Sequence, residues 1–242
     1  MSFLKKNIYF TGLKFAEKLA LRQKISGFAN KKTVPGDSKI DWCELSLEEF
    51  DSLLSRSNIS KNEAKGMIFR VTMKKFGFWK SLSDQLDSFD FKTVLLLDRV
   101  QDTHNFGAIC RTARWAGVDV ILIPQKGNAP VAEGSLKASS GYILNMQIIA
   151  GKLIEMTSYF KNKGFEIIST IVDEGISGRE CSRRVSGKKL LIMMGNERWG
   201  ISKELDQFST QKLTIPMKNR VDSLNVSVAT GIILHQLLIS DE

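Results

Sequence analysis

From residue 91 onward the chain repeats one rhythm: an apolar run, a polar loop, a helical stretch. That alternation constrains the fold more than any other feature of the sequence. Val94–Leu97, Val118–Ile123, Met146–Ile149, Phe165–Val172, Leu190–Met194 and Lys212–Ile215 read as strands, and helical stretches fall at roughly 106–117, 152–162, 201–208 and 224–239. Continuously apolar strands are those covered on both faces. Alternating strands and helices predict an α/β fold with a mostly parallel sheet between helical layers. Ligands of such sheets bind outside the carboxyl ends of the strands, so the residues just after each strand are where a site is expected.

Residues 1–90 follow another pattern. Ile8 to Arg22 has helical apolar spacing, whereas Lys24 to Ile40 is polar, basic and broken by Gly27, Pro35 and Gly36, which predicts a loop. Ser46-Leu47-Glu48-Glu49 is a capping box that starts a helix with Leu47, Phe50 and Leu54 on one face. Gly66–Val71 reads as a strand and Ser81–Phe89 as a short helix. The division expected is a small α/β domain over 1–90 and a larger one over 91–242. Asp173–Lys189 is the longest predicted loop.

Charge points to a polyanionic partner. Lys and Arg number 35 against 26 Asp and Glu, a net +9, and residues 1–39 hold nine of the former and two of the latter. RNA explains that bias better than a solvated basic face does. Lys61, Lys65, Arg70, Lys74, Lys75 and Lys80 interleave with Phe69, Phe76, Phe78 and Trp79, a pattern that fits phosphate contacts with base stacking or a basic face over core aromatics equally well. Cys43, Cys110 and Cys181 are too few and too far apart for a disulfide framework or zinc, and His104 and His235 have no metal partners. No apolar segment follows Met1-Ser2-Phe3-Leu4-Lys5-Lys6, and no run approaches the ~18 apolar residues of a membrane span. A cytoplasmic protein without metal or membrane is expected.

Familiar nucleotide signatures fail. Gly195-Asn196-Glu197-Arg198-Trp199-Gly200 lacks the Lys-Ser/Thr of a phosphate loop, and no G-x-G-x-x-G follows a predicted strand. Three strand ends stand out instead. The first runs from Asp98 to Ala113, with Asn105 reading as a helix N-cap and Arg111 six residues on. The second is Gly195-Asn196-Glu197. The third is Ile215 to Gly231, where Ser223 reads as the N-cap of an apolar helix whose first turn holds Asn225 and Ser227. Polar groups beside free helix N–H groups suit a polar ligand, although a capped core helix fits that last stretch equally well.

These three endings, in this order, closely resemble the motifs of the SpoU (TrmH-like) family of S-adenosylmethionine-dependent RNA ribose 2′-O-methyltransferases, within the SPOUT class. The motif residues are Asn105 with Arg111-Thr112-Ala113, Gly195 to Gly200, and Ile215-Pro216-Met217 with Ser223 to Ser227. The resemblance covers about residues 91–240. Residues 1–80 are similar to the small RNA-binding domain of the 23S rRNA guanosine branch, and Lys137-Ala138-Ser139-Ser140-Gly141 resembles that branch's Lys-x-Ser-Ala-Gly segment. Three departures stand beside the match: Glu63-Ala64-Lys65-Gly66 replaces a usual His-Gln-Gly, Asn219 stands where Gly is common, and Arg198-Trp199-Gly200 is nearer to tRNA-modifying relatives.

The resemblance implies a SPOUT fold with a C-terminal trefoil knot that holds the cofactor. It implies backbone contacts to S-adenosylmethionine from Gly195, Ile215 and Leu224, with Thr170 near its ribose or adenine. Ser223 and Asn225 would lie beside the methyl donor, and Glu197 would position Asn105 or Arg111. The implied enzyme is a homodimer that methylates a ribose 2′-hydroxyl, on guanosine of 23S rRNA. A tRNA guanosine methyltransferase is the alternative within the class, and an inactive RNA-binding or ribosome-assembly protein on the same fold is the alternative outside it. The family's arginine is proposed as the base, yet a guanidinium stays protonated; Arg111 is better suited to fixing a phosphate and stabilising alkoxide charge, with a phosphate or another group taking the proton.

Overall fold

Val94, Leu95, Leu96 and Leu97 are all fully buried, and their side chains part alternately between two cores: Leu95 and Leu97 on one face, Val94 and Leu96 on the other. Ile192 and Met194 against Leu191 and Met193 divide in the same way. A strand with period two can be apolar throughout only if both faces are covered. The computed structural model describes residues 4–30, 39–196, 198–219 and 222–239. In chain order its elements are β1 (Leu4–Phe10), α1 (Leu13–Ala20), β2 (Ile25–Asn30), β3 (Asp41–Leu45), α2 (Leu47–Ser57), α3 (Lys61–Ala64), β4 (Met67–Phe78), α4 (Trp79–Leu82), β5 (Thr93–Leu97), α5 (Thr103–Trp115), β6 (Val120–Pro124), α6 (Glu133–Ala138), β7 (Gln147–Gly151), α7 (Leu153–Asn162), β8 (Glu166–Thr170), β9 (Ile176–Ser177), α8 (Gly178–Val185), β10 (Leu190–Met194), α9 (Lys203–Asp206), β11 (Gln211–Thr214) and α10 (Val226–Leu238).

Among the described residues these strands form one sheet of 11, in the order β3-β2-β4-β7-β6-β5-β10-β8-β11-β9, with β1 paired to β4. From β2 to β9 the pairings are parallel except β2 with β4, and β1 with β4 is also antiparallel. Helices α5, α6, α8 and α10 cover one face through Phe106, Leu136, Cys181 and Ile233; α7 and α9 cover the other through Phe160 and Leu205. The chain runs outward from β5 to β6 and β7, then crosses to β8, and β10 inserts between β5 and β8. Strand order thus reverses between β5 and β10, the kind of place where open α/β sheets bind ligands.

The sheet crosses residue 90, because β4 pairs with β7, and Ile8, Phe10 and Phe69 share one apolar core with Phe106 and Leu136. Polar contacts reinforce that contact. Thr11 donates to Glu133 Oε1 from both its backbone N–H, at 2.9 Å, and its hydroxyl, at 2.7 Å, while Lys137 pairs with the same carboxylate.

Several local expectations are corrected here. Ile8 to Arg22 is a strand followed by a helix, divided at Gly12, whose φ of 98° turns the chain. Burial of alternate residues Ile8 and Phe10 against β4 makes the first half a strand. The segment after Lys24 forms β2 rather than loop; Gly27 is required there, since a Cβ would lie 2.7 Å from the Trp42 ring. Pro35 and Gly36 lie outside the described residues. Within Asp173–Lys189, α8 forms because Ser177 caps Glu180 N–H and Cys181 and Val185 reach the core. Residues 81–89 straddle the end of α4 and a 3-10 turn, Ser83–Ser88. The capping box at Ser46 is present as read.

Candidate functional site

The carboxyl ends of β8, β10 and β11 lie side by side and open on a cavity of about 430 Å³. Thr170, Gly195, Ile215, Ser223 and Leu224 all line it, with Leu213, Val226 and Ile233 forming its apolar floor and Asp222 placing a carboxylate in its wall. Thr170 gives its hydroxyl proton to Met193 O at 2.9 Å, so toward a ligand this oxygen only accepts.

The loop from Gly195 to Gly200 is tightly closed. Asn196 N–H donates to Gly200 O at 3.1 Å and Gly200 N–H to Asn196 O at 2.9 Å. The buried Asn196 side chain accepts from Arg198 N–H at 2.8 Å and donates to Arg99 O at 2.8 Å. A buried carboxylate completes the tie: Asp98 accepts from Ser202 N–H at 2.8 Å and pairs with Arg99 at 2.8 Å. Arg99 holds a φ of 64°, a left-handed conformation that costs a non-glycine residue about 1 kcal/mol. Sequence reasoning gave no role to Asp98, Arg99 or Asp222; the rule of looking just past a strand end would have reached Asp98, whereas the conformation of Arg99 has no local signal. Glu197 lies outside the described residues.

Asn225 sits between the lining residues Leu224 and Val226 without itself lining the cavity, and its Nδ2 donates to Asn105 Oδ1, also outside the lining, at 3.0 Å. Both caps differ from those read in the sequence. Asp102, not Asn105, caps α5, its carboxylate accepting from Asn105 N–H at 2.7 Å. Asn225, not Ser223, caps α10, its Oδ1 accepting from Ser227 N–H at 2.9 Å and from Ser227 Oγ at 2.6 Å. One amide therefore caps a helix with its oxygen and holds Asn105 with its nitrogen. Asn225→Ala is expected to cost about 0.5–2 kcal/mol of stability as well as the Asn105 contact. Asn225→Ser keeps a capping oxygen, so its melting temperature should stay near wild type while the Asn105 contact is lost; calorimetry on the two variants separates the effects.

Arg111 stands apart from the cavity. It is exposed on α5, and its guanidinium donates to Ser140 Oγ at 3.4 Å. Ser140 has a φ of 52° at the end of α6, a helix too short for the sequence pattern to show. Neighbouring thiols play no part: burial pushes Cys110 up and Cys181 up to about 11, so both stay protonated at neutral pH. Among the described residues no cluster of His, Cys, Asp and Glu could hold a metal, and no helix is long and apolar enough to cross a membrane.

A family model described as the SpoU rRNA Methylase family matches residues 92–235. Over 165 residues the chain is 33% identical to a protein of Borreliella burgdorferi named an uncharacterized tRNA/rRNA methyltransferase, covering 65% of this chain and 70% of that relative. Further relatives, from Mycoplasma pneumoniae and Staphylococcus saprophyticus, are matched over 61% and 57% of their lengths. Among solved structures, one from Porphyromonas gingivalis assigned to the TrmH family of RNA methyltransferases superposes with a TM-score of 0.67 at 26% identity, covering 96% of this chain and 89% of that one. The fold is also that of an AdoMet-bound rRNA methyltransferase from Sinorhizobium meliloti, with a TM-score of 0.68 at 22% identity over 96% of this chain and 86% of that one.

Proposed function

The chain belongs to the SpoU rRNA methylase family, and from that premise we propose that it is a cytoplasmic enzyme that methylates a ribose 2′-hydroxyl of RNA, on guanosine of 23S rRNA, with S-adenosylmethionine as methyl donor. The observation that carries this reading is the cavity at the ends of β8, β10 and β11, whose lining residues Leu224 and Val226 flank the Asn225 that holds Asn105.

The residues present fit that cofactor. About 430 Å³ is within the range of small-molecule sites. The floor of Leu213, Val226 and Ile233 suits a purine ring, the Asp222 carboxylate suits a cationic ligand, and no phosphate-cradling glycine loop is required for a nucleoside without phosphates. Backbone groups of Gly195, Ile215 and Leu224 would hold it. Bound there, S-adenosylmethionine supplies a sulfonium methyl open to in-line attack by oxygen.

What the chain itself must do is hold a weak nucleophile in line and manage its proton. The Asn225 amide holds the Asn105 side chain, and Ser223, two residues before Asn225, lines the cavity. Arg111 is a fixed positive fork for the RNA phosphate and for charge developing on the ribose oxygen, leaving the proton to a phosphate oxygen or another acceptor. Glu197 is assigned to positioning Asn105 or Arg111 by family likeness alone.

A homodimer would give Arg111, which lies outside the cavity of its own chain, a site to act on. On the same helix Trp115 is 58% exposed, and Val228 on the adjoining α10 is 52% exposed. A second copy seated on these residues would cover them and bring Arg111 to the partner's cavity. The insertion of β10 between β5 and β8, with α10 packing back on α5 and α8, supports a C-terminal trefoil knot. The basic residues of the first 90 would hold the RNA.

The test is mass-spectrometric mapping of ribose methylation in rRNA and tRNA from cells with and without the gene, alongside calorimetric titration with S-adenosylmethionine and light scattering of the same preparation. The expected outcome is a guanosine site missing from 23S rRNA, cofactor binding, and a dimer mass. A site missing only from tRNA would turn the reading to a tRNA enzyme. Absence of cofactor binding would turn it to an RNA-binding protein without catalysis, and a monomer mass would overturn the shared site.

A further inference from the structure

An exposed arginine is a poor clamp unless something fixes it, and Arg111 donates to a serine in an unfavourable backbone conformation. We propose that Ser140 is a positioning residue for Arg111, and that the turn carrying it passes the seating of α1 on to that arginine. The inference rests on the methyltransferase reading above.

Ser140 stands where a helix end favours glycine. Ser140 N–H donates to Lys137 O and Gly141 N–H to Leu136 O, both at 2.9 Å, which closes α6 in the paired pattern whose left-handed position is usually glycine. Closing the helix gives no reason for a serine at a φ of 52°. Its hydroxyl gives one, because it accepts from the Arg111 guanidinium at 3.4 Å.

The two side chains meet because α5 is packed hard against α6. A Cβ on Gly107 would lie 2.5 Å from Ser135 O and 2.7 Å from Ala138 Cβ, so only glycine permits this approach. Arg111 is four residues further on, on the same helix face as Gly107, and so falls opposite the residue that ends α6.

The end of α1 grips the residues that follow. A Cβ on Gly141 would lie 2.5 Å from Leu19 Cδ1, so the buried Leu19 closes directly over that backbone. Arg22 lies 5.5 Å over the Tyr142 ring and donates to its hydroxyl at 3.3 Å, and Gln23 donates to Asn145 Oδ1 at 3.2 Å. The N-terminal part of the chain, read as the RNA-holding part, thus presses on the turn that holds the arginine.

Ser140→Gly isolates the hydroxyl, since glycine is at ease at this φ. With S-adenosylmethionine and the RNA that the wild type methylates, kcat is expected to fall about 10-fold, with cofactor Kd unchanged and melting temperature equal or higher. Ser140→Asn, which tolerates the same φ and keeps an acceptor, should restore most of the turnover. Leu19→Ala should also lower kcat, and combining it with Ser140→Gly should bring little further loss, because both act through one turn. Wild-type kcat in Ser140→Gly would overturn the assignment, as would a loss accompanied by weaker cofactor binding. Fully multiplicative effects in the double variant would overturn the link to α1. If the wild type transfers no methyl to any RNA, the methyltransferase reading itself fails; if the wild type is active and Ser140→Gly matches it, only the role of Ser140 fails.

Discussion

Arg111→Lys is expected to lower turnover on RNA by about 10²-fold while leaving the affinity for S-adenosylmethionine unchanged. The two halves of that expectation come from separate observations. Arg111 does not line the cavity of its own chain, and at a partner's cavity it is assigned to the RNA phosphate rather than to the cofactor. Lysine keeps the charge but replaces a planar fork with a single ammonium, losing the two-pronged grip on phosphate and the geometry of the contact with Ser140. Steady-state kinetics with calorimetry on the same variant check both. Near wild-type turnover would show that charge alone suffices, and a large loss of cofactor affinity would place Arg111 in the cofactor site instead.

Gly195→Ala should do the reverse. A Cβ at this position would lie 2.2 Å from Gly200 C and 2.4 Å from Ile201 N, both backbone atoms that no side-chain rotation can move aside. The Asn196–Gly200 bridge must then open or the loop must shift as a body, a strain of about 1–3 kcal/mol for an inserted methyl group. Because Gly195, Asn196, Arg198 and Trp199 all line the cavity, the shift should weaken cofactor binding about 100-fold. Isothermal titration reads the affinity, and circular dichroism should show the helices retained. Unchanged affinity would mean that this loop does not contact the cofactor.

The loss of turnover in Arg111→Lys is already expected from the chain alone, whereas the effect of Gly195→Ala rests on contacts that only the structure gives. The strands β5 to β8, β10 and β11 are legible, β5 and β10 most directly because Val94 to Leu97 and Leu190 to Met194 are apolar on both faces, whereas β9 lies in the segment read as a loop. The cavity residues are legible in part because they follow strand ends, where a mostly parallel sheet puts its ligands. The N-terminal region resisted reading. β1 and β2 are strands because of pairing with β4, at least 38 residues away (Ala29 with Met67), and Gly12 and Gly27 look like ordinary loop glycines until Trp42 and the turn geometry are known.

The caps show the limit most clearly. Ser223 and Asn225 are both good N-caps by composition, and nothing local decides between them. The choice falls on Asn225 because its nitrogen finds Asn105, 120 residues away.

The sequence by itself determined the class of fold, the strand ends that matter and the family, because hydrophobic period and motif order are local properties that survive without knowledge of contacts. The tertiary structure alone decided which polar groups meet: Asn105 with Asn225, Asp98 with the loop after β10, and Arg111 with Ser140 rather than with its own cavity. Those partners are distant in the chain, and their pairing depends on how closely helices pack and which way backbone turns point, which no residue type specifies alone.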